Sequence, residues 1–177
     1  TRTLTLTGSG NGSLASIIPD DGSSNATALT KSGAGTWTLS STSSSYTGVT
    51  TISAGTLSVS YLAAGGSNSN IGASSNAASN LVINGGTLQY TGSTGYSTDR
   101  LFTIGTGTSG ATIDASGSAT LTFTNALTLA TTGTGTRTLT LTGSGNGSLA
   151  SIIPDDGSSN ATALTKSGAG TWTLSST

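Results

Sequence analysis

Residues 29–59 read LTKSGAGTWTLSSTSSSYTGVTTISAGTLSV, and the phrasing of this stretch decides the fold. Two runs in it, Thr36-Trp37-Thr38-Leu39 and Thr50-Thr51-Ile52, alternate or mix polar with apolar residues, and each sits against a glycine-rich turn. The phrase Ala-Gly-Thr-apolar comes twice, as Ala34-Gly35-Thr36-Trp37 and Ala54-Gly55-Thr56-Leu57, so Trp37 and Leu57 hold the same place in successive phrases. A strand and a glycine turn recurring at such an interval is the sequence form of one winding of a β-solenoid.

Composition agrees with that reading. Of 177 residues, 27 are glycine and only 6% are charged, and the net charge is −1. Ser, Thr, Gly, Asn and Ala fill most positions, as they would in a flexible linker. Against a linker stands the placement of Leu, Ile, Val and Trp, which is periodic. A solenoid needs only a few apolar side chains per winding, because each coil has a thin interior. Cys is absent, so disulfide staples and zinc–thiolate sites are excluded. The five cations, Arg2, Lys31, Arg100, Arg137 and Lys166, are dispersed rather than clustered, which argues against nucleic acid as a partner. No apolar run is long enough to span a membrane as a helix, and no signal peptide is read in the sequence.

Residues 1–42 are identical to residues 136–177, a period of 135. The chain, read as one continuous solenoid over 1–177, therefore holds about 1.3 copies of a tandem unit. Strands are expected at residues 2–7, 14–18, 37–39, 51–59, 80–83, 87–90, 101–104, 111–113 and 119–124; residues 28–30 lead into the opening stretch and 127–129 close the unit. Residues 65–79 and 91–99 read as loops leaving the coil. No segment carries a 3.6-residue apolar stripe, so no helix is expected. The reading is all-β, a parallel β-helix with about 20–30 residues per coil and five or six coils per period. At about 4.8 Å per stacked strand, one period rises by about 25–30 Å. Parallel crossovers are right-handed by rule. Apolar ladders should line the interior, with Thr and Ser ladders outside. Neither end reads as a cap, so further copies of the same repeat, in one chain or head-to-tail between chains, are the expected partners.

The motif Leu29-Thr30-Lys31-Ser32-Gly33-Ala34-Gly35-Thr36-Trp37-Thr38-Leu39, continued by Tyr46-Thr47-Gly48 and Thr50-Thr51-Ile52-Ser53-Ala54-Gly55-Thr56-Leu57, resembles the passenger-associated transport repeat of bacterial autotransporters. The likeness runs from Leu29 to Leu57 and recurs in part at 164–177. It implies a right-handed parallel β-helix exported to the cell surface or beyond. It transfers no catalytic residue. Neither signal peptide nor outer-membrane barrel is read here, so the resemblance concerns a passenger segment alone.

Candidate sites are few. Asp20-Asp21-Gly22 and its copy Asp155-Asp156-Gly157 pair carboxylates on a turn, a weak calcium-ligand pattern; a solvated turn is the simpler reading. Asp99, beside Arg100, and Asp114 are the remaining carboxylates. With no His or Glu, they do not make an acid–base constellation, so the expectation is no enzyme, no catalytic residue and no cofactor. Trp37 and Trp172 read as core, sharing a face with the leucine two positions on. Tyr46, Tyr61, Tyr90 and Tyr96 fall in or beside turns and are better placed for exposed contacts. The Thr-x-Thr runs at 3–7 and 120–124 are spaced too irregularly for an ice-binding array and reflect β-propensity. Sequons at Asn11 and Asn25 match glycosylation acceptors by composition. The expected function is a stiff extracellular rod or filament. An adhesive passenger binding glycans or other surface proteins is the alternative, and an ice-binding or carbohydrate-active β-helix the weaker one.

Overall fold

Thr and the β-branched residues favour extended backbone, and glycines between them allow sharp corners. The chain obeys this in strands of two to six residues. A computed structural model describes residues 1–22, 25–106, 110–157 and 159–176. Every strand pairing in it is parallel and joins one winding to the next.

Three sheets result. The first holds β1 (Arg2–Leu6), β3 (Thr27–Lys31), β5 (Thr50–Ile52), β7 (Leu81–Ile83), β10 (Thr103–Ile104) and β13 (Ala130–Thr131). The second holds β2 (Gly12–Leu14), β4 (Thr36–Leu39), β6 (Thr56–Val59), β8 (Thr87–Tyr90), β11 (Ala111–Ala115), β14 (Arg137–Thr142) and β16 (Thr162–Lys166). The third holds β9 (Tyr96–Thr98), β12 (Leu121–Phe123), β15 (Gly147–Leu149) and β17 (Trp172–Leu174). The chain is thus a β-solenoid of about seven turns, as its pattern predicts, and each turn contributes one strand to the second sheet.

Register turns the period-two alternation into columns. Inside the second sheet, Trp37, Leu57, Leu88, Ile113 and Leu141 stack one above another. Outside, Thr36, Thr56, Thr87, Thr112, Thr140 and Thr165 form an unbroken hydroxyl ladder. The next outer column, Thr38, Ser58, Gln89, Asp114 and Thr142, is mixed, so the regular two-column Thr array of an ice-binding face is not formed. Phe102 and Phe123 meet edge to face at 5.6 Å and tie the first sheet to the third across the core.

The motif residues stack coil on coil. Trp37 lies flat over Gly12, where an added Cβ would sit 2.8 Å from the indole ring, and its Nε1 donates to the Thr7 carbonyl at 3.1 Å. Trp37 is half-buried and Leu39 fully so. Lys31 occupies an inward position in the column Leu6–Lys31–Ile52. Its stem packs in the core, and its ammonium donates to the carbonyls of Ser32 (3.0 Å), Gly33 (2.8 Å) and Ala54 (2.9 Å) at the corner.

Five expectations need correction. Residues 51–59 are not one strand: the chain turns a corner between β5 and β6, which lie in different sheets. The second strand is Gly12–Leu14, not 14–18; Ile18 is buried but Ile17 stands 56% exposed beyond it. Residues 91–99 contain β9, whose polar Tyr-Ser-Thr sequence carries no apolar alternation. Residues 65–79 do not leave the coil as a free loop: Ser69, Asn70, Ile71 and Ser74 are buried. One turn of 3₁₀ helix, Ala78–Asn80, ends that segment where no helix is expected.

Candidate functional site

Tyr61 and Tyr96 meet edge to face, with ring centroids 4.5 Å apart, at the edge strand of the third sheet. A cleft of about 480 Å³ opens on one side of the pair, lined also by Thr42, Ser67 and Asn68. A second, of about 260 Å³, opens toward Ser60, Thr91, Ser93 and Thr94. No charged side chain lines either one.

Buried polar groups hold the walls. Asn70 Oδ1 accepts from the backbone N–H of Ser60 (3.0 Å) and Tyr61 (2.6 Å), and its Nδ2 donates to the Ser41 carbonyl at 2.8 Å. One amide therefore fixes Tyr61 and ties it to the preceding coil. Arg100 lies wholly inside the 60–79 excursion. Its Nε donates to the Ala63 carbonyl (3.0 Å), Nη1 to Ser74 O and Oγ (3.0 Å each), and Nη2 to Gly72 O (2.9 Å). Burial pulls its pKa down from the usual guanidinium value. Tyr90 is buried too, and its hydroxyl donates to the Thr94 carbonyl, bracing the other wall from below; burial pushes its pKa up. What results is a neutral, preformed concavity of two aromatic rings rimmed by hydroxyls and an amide, a donor and acceptor set matched to an uncharged polar ligand.

The tyrosines expected at the surface thus divide. Tyr61 and Tyr96 are half-exposed and come together. Tyr46 and Tyr90 are core. The Tyr46 hydroxyl lies 2.7 Å from Thr50 Oγ1, and burial raises its pKa well above the ordinary phenol value.

Adjacent carboxylates are drawn to different partners. Asp20 accepts from the Thr27 N–H (2.7 Å), the Thr47 N–H (3.1 Å) and the Thr47 hydroxyl (2.6 Å), joining one coil to the next, while Asp21 pairs with Arg2 at 3.0 Å. In the second copy Asp155 accepts from the Thr162 N–H at 2.9 Å, and Asp156 takes Arg137 at 2.8 Å and the Thr131 hydroxyl. Asp99 holds the Gly65 N–H and the Asn76 amide; Asp114 holds Gln89 and Ser116. Among the described residues no three carboxylates come together at one place.

The hydrogen bonds from Thr27 and Thr47 hold the Asp20 carboxyl below its ordinary pKa. A folded value below the unfolded one means the contact stabilises above pH 3.8 and is lost only as pH falls through the lowered value. Amide exchange at Thr27 and Thr47 should therefore stay protected at pH 3.8 and accelerate only at lower pH, as the carboxyl takes up its proton. In Asp20→Asn that acid dependence should vanish. If both amides exchange with the same pH profile in the variant, Asp20 is not the clamp.

Residues 29–59 and 164–177 match the family model of the passenger-associated-transport-repeat. The chain is 47% identical over 117 residues to the Adhesin BmaC autotransporter of Brucella suis biovar 1 (strain 1330), an alignment covering 60% of this chain and 3% of that protein. Both findings liken the chain to autotransporter passenger-associated repeat proteins. It spans a small fraction of the length of the relative it matches. No solved structure matches it.

Proposed function

We propose that this chain is a non-catalytic, stiff scaffold segment of a bacterial surface or extracellular adhesin passenger. The observation that carries the reading is how the motif is used. Trp37, Lys31 and Thr47 each bind a neighbouring coil, Thr47 through Asp20, leaving little of the motif to meet a substrate. Another unit of the same kind is the natural partner, since β11 and β12 roof β14 and β15, and the identical β1 and β2 accept the same roof. Concatenating units of the 135 period tests it. In solution scattering, the longest dimension should grow linearly by about 25 Å per unit. Growth as the square root of unit number would mean flexible joints and overturn the rod.

The Tyr61–Tyr96 cleft favours a second reading, adhesion to neutral saccharides. Aromatic rings supply apolar contact for sugar C–H faces, and the hydroxyl rim supplies hydrogen bonds. Titration with neutral oligosaccharides should shift the NMR signals of Tyr61, Tyr96 and Thr94. Tyr61→Ala should weaken binding at least tenfold. Shifts elsewhere, or affinity untouched by Tyr61→Ala, would remove the cleft from the account.

A further inference from the structure

The stretch 1–42 returns unchanged as 136–177, and the two copies do not occupy the same sheets. β1 lies in the first sheet, but its twin β14 lies in the second. β2 lies in the second, its twin β15 in the third. β3 and β16 divide as β1 and β14 do; β4 and β17 divide as β2 and β15 do. All four strands move by one sheet in the same direction.

Local contacts survive the move. Trp172 Nε1 donates to Thr142 O at 3.0 Å, as Trp37 does to Thr7. Asn146 accepts from Thr171 N–H at 3.0 Å, as Asn11 does from Thr36 at 2.9 Å. Lys166 and Lys31 both cap the two carbonyls that follow them. The motif therefore specifies how one coil sits on the next, and leaves open which face it sits on.

Coil lengths set the phase. Stepping down the second sheet from Gly12 through Trp37, Leu57, Leu88 and Ile113 reaches Leu141 on the fifth step. Leu141 falls short of Gly147, the twin of Gly12, and the residues between them carry the chain around the next corner. We infer that the repeat unit spans five turns and one third, so that each successive unit in a tandem array is rotated by about a third of a turn. Three units make sixteen turns, about 75–80 Å of axis, before a feature returns to the same side. Where the cleft is the adhesive site, a reading this consequence rests on, the array presents it on three sides in a spiral. A flat glycan-bearing surface then meets every third unit, and a rod lying in a matrix is engaged from all directions at once.

Spin-label distances test the phase in the full chain and need no ligand. Ser9 turns the corner from the first sheet to the second; Thr134 turns the same corner five windings later; Ser144, the twin of Ser9, turns the corner from the second sheet to the third. All three are exposed, and the chain has no other cysteine. The Ser9→Cys/Thr134→Cys pair should lie at about the axial rise, roughly 24 Å. The Ser9→Cys/Ser144→Cys pair should be longer by about 5 Å, because one face of about 15 Å is crossed as well. The reverse order, with Ser144 nearer to Ser9 than Thr134, would mean that the unit closes on a whole number of turns and would overturn the inference. Equal distances would do so too. Loss of saccharide binding in Tyr61→Ala bears on the cleft alone and leaves this result standing.

Discussion

Replacing Arg100 with Met should release residues 63–74 from the solenoid while leaving the strands on either side paired. Met keeps much of the volume and removes every donor. The carbonyls of Ala63, Ser74 and Gly72 then lose the charged donor and keep only a neutral one each, from the Thr98 hydroxyl, the Gly66 N–H and the Ser69 hydroxyl. A hydrogen bond to a charged group contributes about 1.5–3 kcal/mol. Losing several of them at once exceeds what the excursion recovers by burying Ile71, so the segment opens to water rather than tolerating the loss. The change should appear as local opening and not as global unfolding, since a solenoid is coupled mainly between neighbouring coils. A local loss of about 3 kcal/mol is a hundredfold faster amide exchange. Exchange across residues 63–74 should rise by about that factor, and a protease should cut near Gly65–Gly66. Protection at Leu88 and Ile113 should hold. Arg100→Lys, with one compact donor head in place of a fork, should fall between the two. Unchanged exchange in Arg100→Met would show that the excursion is held by its own turns. Because Asn70 sits in the released segment and fixes Tyr61, the same variant should also blur the cleft.

How much of this was written in the sequence differs from element to element. Strands with an apolar residue at every second position were legible: β4, β8 and β11 lie where alternation puts them, because burial on one face leaves only one register. β9 was not, because Tyr-Ser-Thr at a sheet edge buries little and needs no alternation. Ser and Asn in residues 65–79 look like a solvated loop by composition. What makes the segment compact is the buried hydrogen bonding of Asn70 together with the guanidinium of Arg100, which follows β7, β8 and β9 in the chain. A lone cation in a chain with so few charges was the available signal. Lys31 carries the same one, since a cation inside an apolar alternation must find carbonyls at a corner. The tyrosine pair depends on which coils end up adjacent, because Tyr61 follows β6 while Tyr96 opens β9. The one-sheet advance of the repeat was beyond reach for a related reason. Identity of 1–42 with 136–177 fixes a period, but the phase depends on the summed lengths of coils that differ from one another.

The second large effect is expected at Gly55. Its φ is +62°, and a Cβ there would lie 2.4 Å from Gly33 O, 2.5 Å from Gly35 O and 2.7 Å from Lys31 Nζ. Two costs therefore combine in Gly55→Ala. Left-handed backbone costs an L-residue about 1–2 kcal/mol. Forcing a methyl group between two carbonyls of the preceding coil costs about 1–3 kcal/mol more. Relief is available only by lifting the third coil from the second. That motion takes Ala54 O away from the Lys31 ammonium, which is otherwise enclosed and has no carboxylate to replace it. The loss should total about 3 kcal/mol and be read in the amides that cross this joint, Ser53 N to Lys31 O and Thr56 N to Gly35 O. Gly10→Ala is the matched control. Nothing lies within 4 Å of a Cβ there, and its φ is not left-handed, so the change should stay within about 0.5 kcal/mol. If the two alanine variants proved equally stable by denaturant midpoint and by exchange at these amides, the carbonyl nest at the corner would not be what locks coil to coil. The scaffold reading of the motif would then lose its physical basis, because Gly55, Lys31 and the carbonyls between them are the part of the motif that no other contact replaces.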